Sequence, residues 1–213
     1  MRTSFAALDH LVLATPDLSA TAAWLTQRTG VAPSPGGAHV GRGTKNVLCS
    51  FGETSYLEIV GPDPDQPTPS APRPFGIDEL SEATMVSWAV AVPDMDAELA
   101  MARARGYDPG SATPMQRRRP DGVILNWKLT TAPSTTIPFL IDWGDSPHPA
   151  RTAAVGLELV ELQACHPHPG PVAETLEALG VTIGILRGDE MLIVEVRGPL
   201  GTISFPNVEG VGF

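Results

Sequence analysis

The chain has 213 residues, of which 42% are hydrophobic and 18% charged, enough apolar side chain to bury a substantial core and too much to be disordered. A formal charge of −10 argues against nucleic acid or an anionic membrane surface as the partner. No run approaches the roughly 18 apolar residues of a membrane span, residues 1–8 lack the apolar core of a secretory signal, and Cys49 and Cys165 show no metal-ligand spacing, so a reduced, cytoplasmic protein is expected.

Residues 8–14 form a short apolar run of strand length, and Thr15-Pro16-Asp17-Leu18-Ser19 then starts a helix. That helix is expected over residues 18–28, with Leu18, Ala22 and Leu25 on its apolar face and Gly30 as its stop. A Pro/Gly-rich turn at residues 33–37 leads into strands at residues 38–41, 46–51 and 56–60, giving the order βαβββ. From residue 61 to 74 the crowding of Pro and Asp suits a connector without regular structure.

The same order then returns. Residues 86–92 read as a strand, Pro93-Asp94-Met95-Asp96 opens a helix that Gly106 ends, and apolar strands follow at residues 123–129 and 137–143. Val-Leu-Ala-Thr-Pro-Asp ending at Asp17 resembles Val-Ala-Val-Pro-Asp ending at Asp94, and Tyr56-Leu57-Glu58-Ile59-Val60-Gly61 overlays Phe139-Leu140-Ile141-Asp142-Trp143-Gly144 without a gap. A third copy without these motifs reads as a strand at residues 157–163, a helix at 171–179 and strands at 182–186, 191–196 and 201–205. The expected organisation is a first module at 1–61, a linker at 62–84, a second module at 85–150 and a partial C-terminal module at 151–213.

Leu8-Asp9-His10-Leu11-Val12, Gly43-Thr44-Lys45-Asn46, Tyr56-Leu57-Glu58 and the Phe139-to-Gly144 segment followed by His148-Pro149-Ala150 resemble the vicinal-oxygen-chelate superfamily of glyoxalases, bleomycin-resistance proteins and dioxygenases, in its glyoxalase-like branch. The resemblance spans residues 6–150 well and the remainder loosely. It implies an α+β fold in which tandem βαβββ modules form a curved mixed sheet around a pocket, to which the element pattern adds a third, incomplete module at the C-terminus. It also implies a divalent metal (Fe, Mn, Ni or Zn) held by one residue on the first strand and one on the last strand of each module. In module one these positions are His10 and Glu58, donors a metal accepts. In module two the alignment gives Trp88 and Ile141, which offer no lone pair, so the ligand set is incomplete; Asp142 is one residue away, on the opposite face of a regular strand.

His10 and Glu58 are therefore the candidate catalytic residues and the candidate metal ligands. Without metal they form an acid–base pair able to take a proton next to a carbonyl or to open an epoxide-like ring. Asn46, Trp88, Arg118, Trp127, Asp142 and Trp143 are the candidate substrate contacts: an amide for a carbonyl, an aromatic wall, and a guanidinium just before the Pro120-Asp121-Gly122 turn. A satisfied core histidine, ordinary tryptophan packing and a solvated arginine are the bland alternatives. His148 reads equally as a lid or packing residue and as a catalytic one, and His166 and His168, alternating with prolines, read as a helix start and not a metal site. No Gly-rich nucleotide loop and no GxSxG elbow occurs. The expected function is a glyoxalase-like lyase, isomerase or dioxygenase acting on a small oxygenated metabolite; the alternative is a non-catalytic sequestering protein. A monomer or a homodimer is compatible with the pattern.

Overall fold

The apolar run that opens the chain becomes β1 (Leu8–Ala14), a strand buried along its whole length. Asp17 then caps α1 (Leu18–Thr29) by accepting from the Ala20 N–H at 2.9 Å, and Gly30 ends it at φ 79° in the left-handed conformation. β2 (Ser34–His39), β3 (Thr44–Ser50) and β4 (Tyr56–Pro62) complete the first module. The structure, a computed structural model, describes residues 8–119 and 121–206; Pro120 of the expected turn and the outer parts of both terminal segments lie outside the described residues.

The second module repeats the plan. β5 (Thr84–Ala91) leads into α2 (Met95–Ala104), capped by Asp94 as α1 is by Asp17, and then β6 (Thr113–Arg118), β7 (Ile124–Leu129) and β8 (Phe139–Asp142). Two strands differ from expectation. β2 occupies part of the predicted Pro/Gly turn, and β6 went unseen because its Pro, Gln and Arg side chains are mostly exposed and show no apolar alternation.

Within each module the first strand pairs in parallel with the last, and the others follow antiparallel. The modules join along β1 and β5, which run antiparallel from Leu8↔Val90 to Ala14↔Thr84. On the far side, among the described residues, the pair Ala38↔Arg118 between β2 and β6 closes an eight-stranded barrel in the order β1-β4-β3-β2-β6-β7-β8-β5. The α+β architecture of modules curving round a pocket is thus what the chain forms.

β9 (Glu158–His166), α3 (Pro169–Ala178), β10 (Gly184–Arg187), β11 (Met191–Gly198) and β12 (Gly201–Phe205) follow, a full set of five elements. They pair differently from the barrel modules, in a separate sheet ordered β10-β9-β11-β12. The expected incompleteness therefore lies in pairing, not in element count.

Strand alternation divides the barrel into two faces. Leu11, Leu13, Leu57, Ile59, Trp88 and Leu140 point outward and pack with Leu25 of α1, Met95 and Leu99 of α2 and Leu192 and Val194 of β11 in the main core. Val12, Val60, Ala89, Phe139 and Ile141 form the second, inner cluster. Because helices and the C-terminal sheet cover the outside, both faces of β1 and β4 are apolar. The polar side chains on the inner face of these strands therefore mark the site.

Candidate functional site

The barrel encloses a cavity of about 370 Å³, within the range of small-molecule sites. One wall is polar and comes from module one with β6: His10, His39, Arg42, Asn46, Glu58 and Arg117. The facing wall is apolar and comes from module two: Trp127, Leu129, Phe139, Ile141 and Trp143.

His10 is held from behind by Asp9, whose carboxylate has no exposed surface and lies 2.6 Å from His10 Nδ1. Neighbours on a regular strand face opposite ways, but the β1–β5 register shifts between Leu8 and His10, and this irregularity falls on Asp9. Asp9 also accepts from Trp143 Nε1 at 2.8 Å and sits 3.0 Å from His148 Nε2. Burial pushes the Asp9 pKa up, yet the hydrogen bonds from His10 and His148, with their positive charge once protonated in acid, outweigh it and bring it to about 2. An ionised carboxylate only accepts, so His10 donates through Nδ1 and His148 through Nε2. His148 Nδ1 in turn accepts from the Ala150 N–H at 3.2 Å, which fits that tautomer. In the Nδ1–H tautomer, His10 keeps the lone pair on Nε2, 3.5 Å from Glu58 Oε2.

Glu58 is held on its other oxygen by Asn46, whose Nδ2 donates to Oε1 at 2.5 Å, and Arg117 Nη1 donates to Asn46 Oδ1 at 2.9 Å. The guanidinium, a pure donor, fixes which way the amide points. A polar chain thus runs Arg117–Asn46–Glu58, then across the gap to His10–Asp9. Space for it depends on Gly36 of β2, where a Cβ would collide with Asn46 Oδ1 and sit 2.5 Å from Arg117 Nη1. Gly36→Ala is expected to break the Asn46–Arg117 bond and lower stability by about 1–3 kcal/mol, the cost of a buried polar group losing its partner; urea unfolding of the two proteins measures it.

His39 Nε2 approaches Glu58 Oε1 at 3.8 Å, and its Nδ1 bonds the Thr44 hydroxyl at 3.0 Å. Burial lowers the His39 pKa; Glu58 pulls it up, while Arg117 and Arg42 push it further down. Tyr56 stacks on His10 with ring centroids 4.7 Å apart. Burial, helped by the charges of Asp9 and Glu58, raises its phenol well above the ordinary value, so its hydroxyl stays a donor. Phe75, from the linker between modules, lines the cavity at φ 62°, a left-handed conformation rare outside glycine.

Of the residues singled out from sequence, the structure brings His10, Glu58, Asn46, Trp127 and Trp143 together in the cavity. Three others lie elsewhere. Trp88 faces outward into the main core, 1% exposed, donating from Nε1 to the Thr136 carbonyl at 3.2 Å. The residue paired with His10 on β5 is Ala89, one place on from the expected Trp88. Arg118 is exposed while its neighbour Arg117 points inward, as strand alternation requires. Asp142 accepts from the N–H groups of Met95 and Gly144, securing the start of α2. His166 and His168 bond each other beside α3, away from the cavity.

Asp9, His39, Arg42, Tyr56, Phe75 and Arg117 were missed. For Asp9 a signal existed, since a carboxylate inside an apolar strand next to a histidine needs a partner; for the linker residue Phe75 none did.

A divalent metal at His10 and Glu58 would find two donors, and none on Ala89, Phe139 or Ile141 opposite. His39 addresses the other oxygen of Glu58, where Asn46 already bonds, and a guanidinium stands one amide away. Among the described residues no group of three or more His, Cys, Asp or Glu side chains could hold a metal ion. The donor set does not fit the metal that the superfamily commonly holds.

Fold and cavity together define a protein of paired βαβββ modules around one half-polar pocket. A family model described as a glyoxalase-like domain matches residues 8–180, and the chain belongs to that family, within the vicinal-oxygen-chelate superfamily. A hypothetical protein from Staphylococcus aureus shares the fold with a TM-score of 0.58 at 14% identity, over 92% of this chain and 83% of that one. A methylmalonyl-CoA epimerase from Mycobacterium tuberculosis superposes with a TM-score of 0.45 at 16% identity, over 68% of this chain and 91% of that one. The Streptomyces coelicolor epimerase, in complex with 2-nitronate-propionyl-CoA, gives 0.45 at 17% identity over 68% of this chain and 100% of that one. No curated protein matches the sequence. No helix among the described residues is long and apolar enough to cross a membrane.

Proposed function

We propose that the chain is an enzyme of acid–base type, a lyase or isomerase that moves a proton at carbon next to a carbonyl in a small oxygenated metabolite. The observation that carries this is the placement of His10, with Nδ1 2.6 Å from the ionised Asp9 carboxylate and Nε2 3.5 Å from Glu58 Oε2 inside the cavity. Both side chains line the same cavity, so a C–H bound there can meet either base from the cavity side. One of the pair takes the proton, the C–H electrons pass onto the carbonyl oxygen, and the Tyr56 hydroxyl or the Asn46 amide donates to the oxygen as charge develops. The proton then returns to the same carbon or to its neighbour. Dioxygenase chemistry has no support, since the donor set does not fit a metal.

The test is proton–deuterium exchange in D₂O, followed by NMR over a panel of 2-oxo acids, hydroxyketones and thioesters. His10→Gln and Glu58→Gln are each expected to slow exchange by about 10²–10⁴-fold, the ordinary contribution of a positioned acid or base. Equal exchange in wild type and both variants sinks the proposal. A second reading, a non-catalytic binder, is favoured by the apolar wall of Trp127 and Trp143, whose rings lie 5.2 Å apart. Binding without exchange would select it.

A further inference from the structure

Two guanidinium groups line the cavity, against the single carboxylate of Glu58, in a chain whose net charge is −10. Among nearby arginines, Arg73 bonds Asp78 and Arg119 pairs with Asp121 at 2.7 Å. Among the described residues Arg42, Arg117 and Arg118 have no such pair, and of these three Arg42 and Arg117 line the cavity. The hydrogen bond of Arg117 goes to a neutral amide, Asn46, although the side chain is buried at 4% exposure. The Arg42 guanidinium, exposed at the rim, donates to the sulfur of Met115 at 3.6 Å, itself a cavity residue. A buried guanidinium without a carboxylate is costly and leaves donors for an anion.

The rim that carries Arg42 is well defined. The turn between β2 and β3 is closed by the Arg42 N–H bonding the His39 carbonyl at 3.0 Å. It packs on the linker, where a Cβ on Gly43 would meet Pro69 at 2.7 Å and where Arg73 bonds the Gly43 carbonyl at 2.9 Å. The acids on this side are engaged elsewhere, with Lys45 held by Asp63 and Asp65 at 3.1 Å each. Both guanidinia also act electrostatically on His39, which places their positive field over the same part of the cavity.

We propose that the cavity takes an organic anion, a carboxylate on an apolar or aromatic body, with the charged end at Arg42 and Arg117 and the body against Trp127, Trp143 and Phe139. The proposal rests on the same cavity as the acid–base reading and specifies its substrate class, but it concerns binding and does not require turnover.

Calorimetric titration of matched pairs tests it: phenylacetate against phenylacetamide, and 1-naphthylacetate against its amide. At low salt the wild-type protein should bind at least one acid tenfold or more tightly than its amide. Arg42→Gln should weaken the acid about five- to tenfold, as expected for one charge-assisted contact at a rim, and leave the amide unchanged; Arg42→Glu should abolish the preference. Glu58→Gln, which removes the only lining carboxylate, should bind the acid as well or better. Equal affinity for acid and amide, binding of neither, or a preference that survives Arg42→Glu overturns the proposal. If the preference holds while no compound exchanges its protons, the acid–base reading fails and the anion site stands.

Discussion

Replacing Asp9 by Asn is expected to lower the thermal midpoint by about 5–15 °C, from a cost of about 2–4 kcal/mol at about 2–4 °C per kcal/mol for a chain of this size. Asp9 accepts N–H donors from His10, Trp143 and His148 at 2.6, 2.8 and 3.0 Å with no exposed surface. An Asn offers one oxygen to three donors and points its own N–H groups at whichever lacks a partner. The relief open to the site is for His10 to shift its proton to Nε2 and accept at Nδ1, which removes the lone pair from the gap facing Glu58. Proton exchange should fall by about 10³-fold or more, by the logic of a buried aspartate that sets a catalytic tautomer. ¹⁵N chemical shifts of His10 report the tautomer directly. An unchanged Nδ1–H tautomer in the variant would remove Asp9 from the mechanism.

The same residue gives a pH signature. Its pKa falls from 3.8 to about 2 on folding, so the folded state holds the proton less tightly than the unfolded chain. The contribution is present in full above about pH 4 and lost as pH falls towards 2; it amounts to roughly 2 kcal/mol at about 1.4 kcal/mol per unit. The stability of Asp9→Asn should therefore decline less between pH 4 and pH 2 than that of the wild type, measured by urea midpoints across that window.

Trp88→Ala is expected to cost about 3–5 kcal/mol, the range for emptying a large aromatic site in a core. The indole is 1% exposed among Leu11, Leu57, Met95 and Leu140, and its N–H is paired to Thr136. Trp88→Phe should be milder and should leave ligand affinity unchanged, since the ring lies on the far side of the barrel wall from the cavity. A Phe variant with native stability but lost ligand binding would return Trp88 to the pocket.

Much of the site was legible because a few residues contradict their surroundings. His10 and Glu58 stand out as polar groups in apolar strands, and the paired Pro-Asp helix starts at Asp17 and Asp94 announce the repeat. The misplacements share one cause. β5 is buried on both sides for most of its length, so period-two alternation shows that Trp88 and Ala89 face opposite ways without saying which faces in. Arg117 and Arg118 were ambiguous in the same manner on β6, a strand too exposed to be recognised.

The order of the elements other than β6, the repeat and its helix caps, and the need of His10 and Glu58 for partners are legible in the chain alone, since all follow from local propensity and the cost of burying polar groups. Tertiary structure alone decided which face of each strand meets the cavity, how the β1–β5 register turns Asp9 onto His10, and which arginine reaches Asn46. These depend on register and on what covers the outside of the barrel, and both are set by segments far away in the chain: α1, α2 and the sheet of β9 to β12.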